Sequence, residues 1–141
     1  MTDATTSFLK VGNTEIAYRH RKGRAPGAVW LGGYKSDMLG TKAEALDAWA
    51  SENGHAFLRH DYSGHGESAG AFRDGTISLW LEQSLGVFRA FTQGPQVLVG
   101  SSMGGWIALL LAARRQASGA GGLAGLVLLA PATDMTDALM W

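Results

Sequence analysis

Residues 97–107 read Val97-Leu98-Val99-Gly100-Ser101-Ser102-Met103-Gly104-Gly105-Trp106-Ile107, and the reading of this stretch decides the fold. An apolar run enters a Gly-x-Ser-x-Gly pentapeptide without a turn signal, and a segment of helical spacing leaves it. A serine between a strand and a helix in this pattern sits on a sharp turn with its hydroxyl raised above the sheet edge. The flanking positions must be glycine so that the chain can double back without side chains colliding. Only Ser102 has glycine at both −2 and +2, whereas Ser101 has Val99 and Met103 in those places. Ser102 is therefore the candidate nucleophile. The Met103 N–H, at the start of the following helix, points where an oxyanion would form. The competing reading is a glycine-rich turn that only packs a helix tightly against a sheet, so the flanking sequence must decide.

Working outward, residues 76–91 place Ile77, Trp80, Leu81, Leu85, Phe88 and Phe91 at the spacing of one helix face. Gly94-Pro95 then breaks the chain before the strand of the pentapeptide. On the other side, Ile107, Leu110 and Leu111 continue a helix toward Arg114-Arg115, cations suited to a helix C-terminus. After a glycine-rich connection at 118–122, Gly125 to Ala130 is a buried-type strand ended by Pro131.

Toward the N-terminus, Ala28 to Leu31 reads as a strand running into Gly32-Gly33-Tyr34-Lys35-Ser36-Asp37. Glycines after a strand free backbone N–H groups to face a ligand, as a second oxyanion donor requires. Thr41 with Glu44 reads as a capping box opening a helix whose apolar face is Leu46, Trp49 and Ala50 and whose end is Gly54. His55 to His60 is the next strand, and Asp61 to Gly70 a long loop. Gly64, Gly66 and Ala69 satisfy the dinucleotide fingerprint but fail its context, since no helical pattern begins before about Thr76. Residues 7–10 and 14–19 form a hairpin around Gly12-Asn13, and the basic stretch Arg19 to Arg24 reads as a solvated loop ending at Ala25-Pro26-Gly27.

Strands alternating with helices predict an α/β fold: a mostly parallel sheet with helices on both faces, ending after the sixth strand. The 141 residues are one domain's worth of chain and contain no cysteine, which excludes disulfides, thiolate metal sites and a cysteine nucleophile together. Lysine plus arginine and aspartate plus glutamate balance at 12 each, which removes the electrostatic case for nucleic acid or an anionic membrane surface. No apolar run approaches the roughly 20 residues of a membrane span. The polar start, MTDATTSFLK, lacks the apolar core of a secretory signal and the character of an organellar one, so a cytoplasmic location is expected.

The loop GGYKSD, the later DYSGHGES and the turn GSSMGG, in that order, resemble an α/β-hydrolase. Within that superfamily, LGGYKSDMLGTKA followed by HDYSGHGES is similar to small serine esterases and thioesterases related to the mitochondrial acyl-protein thioesterase that also cleaves acyl-glucuronides. The resemblance runs from about Phe8 to Trp141. It implies Ser102 as nucleophile, the Tyr34 and Met103 N–H groups as oxyanion hole, an ester or thioester substrate and no metal or organic cofactor. It also implies that Asp61 anchors its loop and that His65 packs it. His60 stands where relatives commonly carry an aromatic residue.

One departure is an absence. In this fold the acid and the histidine follow the nucleophile in chain order. All four histidines, His20, His55, His60 and His65, precede Ser102, and six strands fall two short of the usual eight. Residues 1–141 are therefore expected to form the N-terminal part of a single hydrolase domain. Asp134 is the one acid after Ser102 weighed for the triad, against a bland reading in which the acid follows a seventh strand. A second reading of function is a non-catalytic fragment or pseudoenzyme whose open sheet edge pairs with a partner strand or a second copy of the chain.

Overall fold

A computed structural model describes residues 5–130. The strands are β1 (Ser7–Val11), β2 (Thr14–Arg21), β3 (Arg24–Leu31), β4 (His55–His60), β5 (Gln96–Ser101) and β6 (Leu123–Leu129). The helices are α1 (Thr41–Asn53), α2 (Ile77–Phe91) and α3 (Met103–Ala117), with a single 3₁₀ turn at Phe72–Asp74. The six strands form one sheet in the order β1-β2-β4-β3-β5-β6. β1 pairs antiparallel with β2, and β2 with β4, while β4, β3, β5 and β6 run parallel.

Alternation along the strands divides the core into two layers, because successive strand side chains point to opposite faces. Val29, Leu31, Leu58 and Leu98 face α2 and α3, where Trp80, Leu85, Phe88, Ile107 and Leu111 bury against them. Ala28, Trp30, Phe57 and Val99 face α1, which contributes the small residues Ala43 and Ala50. Helices thus cover both faces of the sheet, as the sequence pattern predicts. α2 is opened by Thr76, whose side chain accepts the Leu79 N–H at 3.0 Å, and α1 is closed by Gly54 in a left-handed conformation.

Three local expectations are corrected. The basic stretch is not a solvated loop: Arg19 and Arg21 lie in β2, β3 begins at Arg24, and only Lys22 and Gly23 connect them. Arg21 is buried and holds Asp47 of α1 through two hydrogen bonds, at 3.0 and 3.1 Å. The capping box does not form, because α1 starts from Gly40 without a side-chain cap. The Glu44 carboxylate is instead drawn to the buried Arg59 guanidinium, an ion pair that outcompetes an exposed backbone N–H. Trp49 is not part of the apolar face either, since it is 48% exposed and stacks on the His55 ring at 5.1 Å.

The strand order places the site. From β3 the chain steps to β4 on one side and later to β5 on the other, so the order reverses between β3 and β5. Loops leaving the carboxyl ends of those two strands diverge and open a crevice, the usual ligand position in open α/β sheets. The loop after β3 carries Tyr34, and the turn after β5 carries Ser102.

Candidate active site

Ser102 links β5 to α3 with φ 57° and ψ −118°, a conformation that L residues adopt only under constraint. The constraint is visible on both sides. Its N–H donates to the Leu129 carbonyl of β6 at 2.9 Å, and its own carbonyl accepts the Gly105 N–H at 2.9 Å. The flanking glycines are required by close approach: a Cβ on Gly104 would overlap the Leu31 carbonyl oxygen, and one on Gly100 would overlap the Gly104 peptide. Ser101, the weaker alternative, is the last residue of β5.

Among the described residues, no group hydrogen-bonds to the Ser102 hydroxyl, and the Met103 N–H at the first turn of α3 has no partner. Gly33 lies across the crevice, where an added Cβ would come within 3.6 Å of Ser102 Cβ. Tyr34 follows it, and its N–H is likewise without a partner among the described residues. The structure therefore brings Ser102 and Tyr34 to one crevice, with Met103 following Ser102 at the first turn of α3. That crevice measures about 370 Å³ and is lined by Trp30, Tyr34, Asp37, Lys42, Ser101 and Ser102, among others. A larger groove of about 710 Å³ opens at the opposite end of the parallel strands, beside Tyr18, His20 and Phe91, and holds none of these groups. Asp134 lies outside the described residues.

The loop after β4 grips the loop after β3. Asp61 Oδ1 accepts the Met38 N–H at 2.7 Å and Oδ2 accepts the Glu67 N–H at 2.9 Å, the anchoring role that the resemblance implies. Burial pushes the Asp61 carboxyl above its ordinary value, and those two backbone donors oppose the shift. Gly66 is needed because a Cβ there would overlap the Asp61 carboxylate, which is a structural reason for a glycine of the apparent dinucleotide fingerprint. The Tyr62 hydroxyl donates to the Gly32 carbonyl at 2.8 Å, and burial raises the phenol's pKa.

Neither histidine of this region is free to serve Ser102. His65 accepts the Lys35 N–H on Nε2 at 3.1 Å while Nδ1 lies 3.0 Å from the Ser63 carbonyl. His60 is buried beneath α2 with Nε2 2.8 Å from Ser84 Oγ, and burial lowers its pKa to about 4. His55 Nδ1 lies 3.0 Å from the Pro26 carbonyl at the far end of the sheet, and His20 lines the remote groove. Sequence reasoning did not find the grip of Tyr62 on Gly32 or of His65 on Lys35, because both partners are backbone atoms that any sequence supplies. No cluster of potential metal ligands occurs among the described residues, and no helix among them is long and apolar enough to cross a membrane.

Residues 36–140 match the family described as serine aminopeptidase, S33. The mitochondrial palmitoyl-protein thioesterase ABHD10 of Mus musculus is 42% identical over 113 residues, covering 79% of this chain and 38% of that protein. The human protein of the same name is 43% identical over 100 residues, covering 71% of this chain and 33% of its own length. The chain thus spans well under half the length of these curated relatives. The solved structure of mouse α/β hydrolase domain-containing protein 10 superposes with a TM-score of 0.89 at 38% identity, covering 96% of this chain and 53% of that one. The expected cytoplasmic location is overturned by these findings, since the curated relatives are named as mitochondrial. With the family match extending over most of its length, the chain belongs to the serine aminopeptidase S33 family of α/β-hydrolases and is related to the palmitoyl-protein thioesterases.

Proposed function

We propose that the chain is the nucleophile-bearing, N-terminal part of a single serine hydrolase domain acting on carboxylic esters or thioesters through an acyl-enzyme on Ser102. One observation carries this reading: a strained serine shares a crevice with Tyr34, and the N–H groups of Tyr34 and of Met103 next to the serine have no partner among the described residues. Strain of this kind survives only where surrounding structure holds it, and it concentrates at functional sites.

In the proposed reaction the substrate's acyl carbonyl enters the crevice with its oxygen toward the Tyr34 and Met103 N–H groups. Ser102 Oγ attacks the carbonyl carbon and gives its proton to a general base, which passes it to the departing thiol or alcohol as the C–S or C–O bond breaks. Water then attacks the acyl-serine, releasing the carboxylic acid and restoring the hydroxyl. His60 and His65 are both engaged elsewhere, so the base comes from outside the described residues. Asp134 keeps its place as the candidate acid of lowest rank. The names of the curated relatives favour a thioester of an acylated protein as substrate. The reaction requires no metal or organic cofactor.

The exposed apolar residues of β6 support a second reading. Leu126, Val127 and Leu129 are 37–44% exposed on the outermost strand of the described sheet. A bare apolar edge favours strand pairing, here with a partner strand or a second copy.

Intact-mass measurement of fluorophosphonate labelling, with Ser102→Ala as control, separates the two. Labelling lost in the variant supports the acyl-enzyme. An unlabelled, folded chain that self-associates in sedimentation supports the strand-pairing reading instead.

A further inference from the structure

We infer that His65 is a positioning residue for the oxyanion hole: it fixes the Lys35 peptide and thereby sets the direction of the Tyr34 N–H. The inference rests on the reading of Tyr34 as an oxyanion donor and assigns its orientation to a residue of a different loop.

The tautomer of His65 follows from its partners. Lys35 N–H can only donate and the Ser63 carbonyl can only accept, so Nε2 is the bare acceptor and Nδ1 carries the proton. The ring cannot swing away from this arrangement. It is 4% exposed and lies edge-on to Trp80 at 5.0 Å and to Tyr62 at 5.4 Å. Ser63 is itself fixed from α2, where Trp80 Nε1 donates to its carbonyl at 3.2 Å and Gln83 bonds its N–H and hydroxyl at 2.9 and 2.8 Å. A continuous series of directed bonds therefore runs from α2 through Ser63 and His65 to the Lys35 peptide.

Lys35 needs such a hold, since its φ of 60° lies in the left-handed region, which a lysine has no intrinsic reason to occupy. The contacts bracket the donor and leave it free. Tyr62 bonds the Gly32 carbonyl before it, His65 bonds the Lys35 N–H after it, and Asp61 bonds the Met38 N–H further on. The Tyr34 N–H, between the first two, has no partner among the described residues, and Tyr34 lines the crevice with Ser102. Oxyanion stabilisation depends on donors aimed before the charge develops, so a residue that aims one without touching substrate changes the rate of acylation more than substrate binding.

The test begins with the wild-type chain. A long-range ¹⁵N–¹H correlation spectrum at neutral pH should show His65 as the Nδ1–H tautomer, with the Lys35 amide protected from exchange. An Nε2–H tautomer, or a Lys35 amide exchanging as in an open loop, overturns the inference. His65→Gln can reach both partners through its amide, whereas His65→Phe keeps a ring among Trp80 and Tyr62 and loses the acceptor. Fluorophosphonate labelling of Ser102 should slow by about tenfold or more in His65→Phe and recover to within a few-fold of wild type in His65→Gln. Equal slowing in both folded variants overturns the inference, because the ring would then act by packing alone. A wild-type chain that takes no label means that Ser102 lacks its base there, and the spectrum with the Lys35 exchange then decides by itself whether His65 holds the Lys35 peptide.

Discussion

Gly104 of α3 stands so close to the Leu31 carbonyl oxygen of β3 that no Cβ fits between them. This contact is what allows α3 to start directly after Ser102. Gly104→Ala forces the helix off the strand end, against backbone rather than a yielding side chain. The variant should lose about 3 kcal/mol or more of stability and all fluorophosphonate labelling. Urea unfolding followed by circular dichroism measures the first, and a loss below about 1 kcal/mol would show that the turn relaxes more freely than its geometry implies.

Ser102 holds a conformation that glycine adopts without strain. Ser102→Gly should therefore raise stability by about 1 kcal/mol or more while removing the hydroxyl, whereas Ser102→Ala keeps the Cβ and the strain and should leave stability nearly unchanged. The pair separates strain from chemistry. Paired thermal melts check it, and a Ser102→Gly chain less stable than Ser102→Ala contradicts the strain argument.

How much of this was legible in the sequence depends on the range of the interactions. The turn at Ser102 was readable because its constraint is local: two glycines two residues either side of a serine, between a strand and a helix. Ala28 to Leu31 and His55 to His60 were likewise readable as strands, but which residues face which helix layer was settled by the packing of the helices. The start of β3 was not readable, because Pro26 and Gly27 punctuate a strand that its neighbours extend, pairing Arg24 with His55 across an irregularity. Arg21 was read as part of a solvated loop, whereas α1 brings Asp47 to it and to Arg59. Glu44 fitted a capping box by spacing alone, and its actual partner lies 15 residues away. His65 was readable as a packing residue, but the peptide that it holds is 30 residues distant, a relation that only the fold creates.

Arg59 is 1% exposed and contributes to three contacts at once, with the Met38 carbonyl at 2.9 Å, Asp47 at 3.5 Å and Glu44. Arg59→Ala removes the buried cation that ties β4 to α1 and to the end of the Gly32–Met38 loop. A loss of about 3–5 kcal/mol is expected, as for other broken buried pairs. Glu44 is 53% exposed, so Glu44→Gln should cost under about 1 kcal/mol despite touching the same guanidinium. Chemical denaturation of both variants checks the contrast, and equal losses would mean that the pair acts as a surface bridge.

His60 makes the last expectation one of pH. Its ring is sealed beneath α2, and Ser84 Oγ donates to the Trp80 carbonyl at 2.8 Å, so the His60 Nε2–H must donate to Ser84. Its Nδ1 has no partner among the described residues, and adding a proton there places an unsolvated charge in the core. Burial accordingly lowers the pKa from 6.5 to about 4. Between those values the unfolded chain binds a proton that the folded chain refuses, so stability falls as pH falls. The contribution is complete above pH 6.5 and is lost progressively toward about pH 4, amounting to about 3 kcal/mol at most. Asp61, whose carboxyl burial pushes upward, changes stability in the opposite sense, with stability rising as pH falls toward its raised value. His60→Phe removes the first effect and keeps the second, so the difference between wild type and variant isolates the imidazole. Urea midpoints should therefore converge or cross as pH drops, with the variant losing less. Parallel profiles would mean that acid opens the α2 contact locally and that His60 takes up its proton without unfolding the sheet.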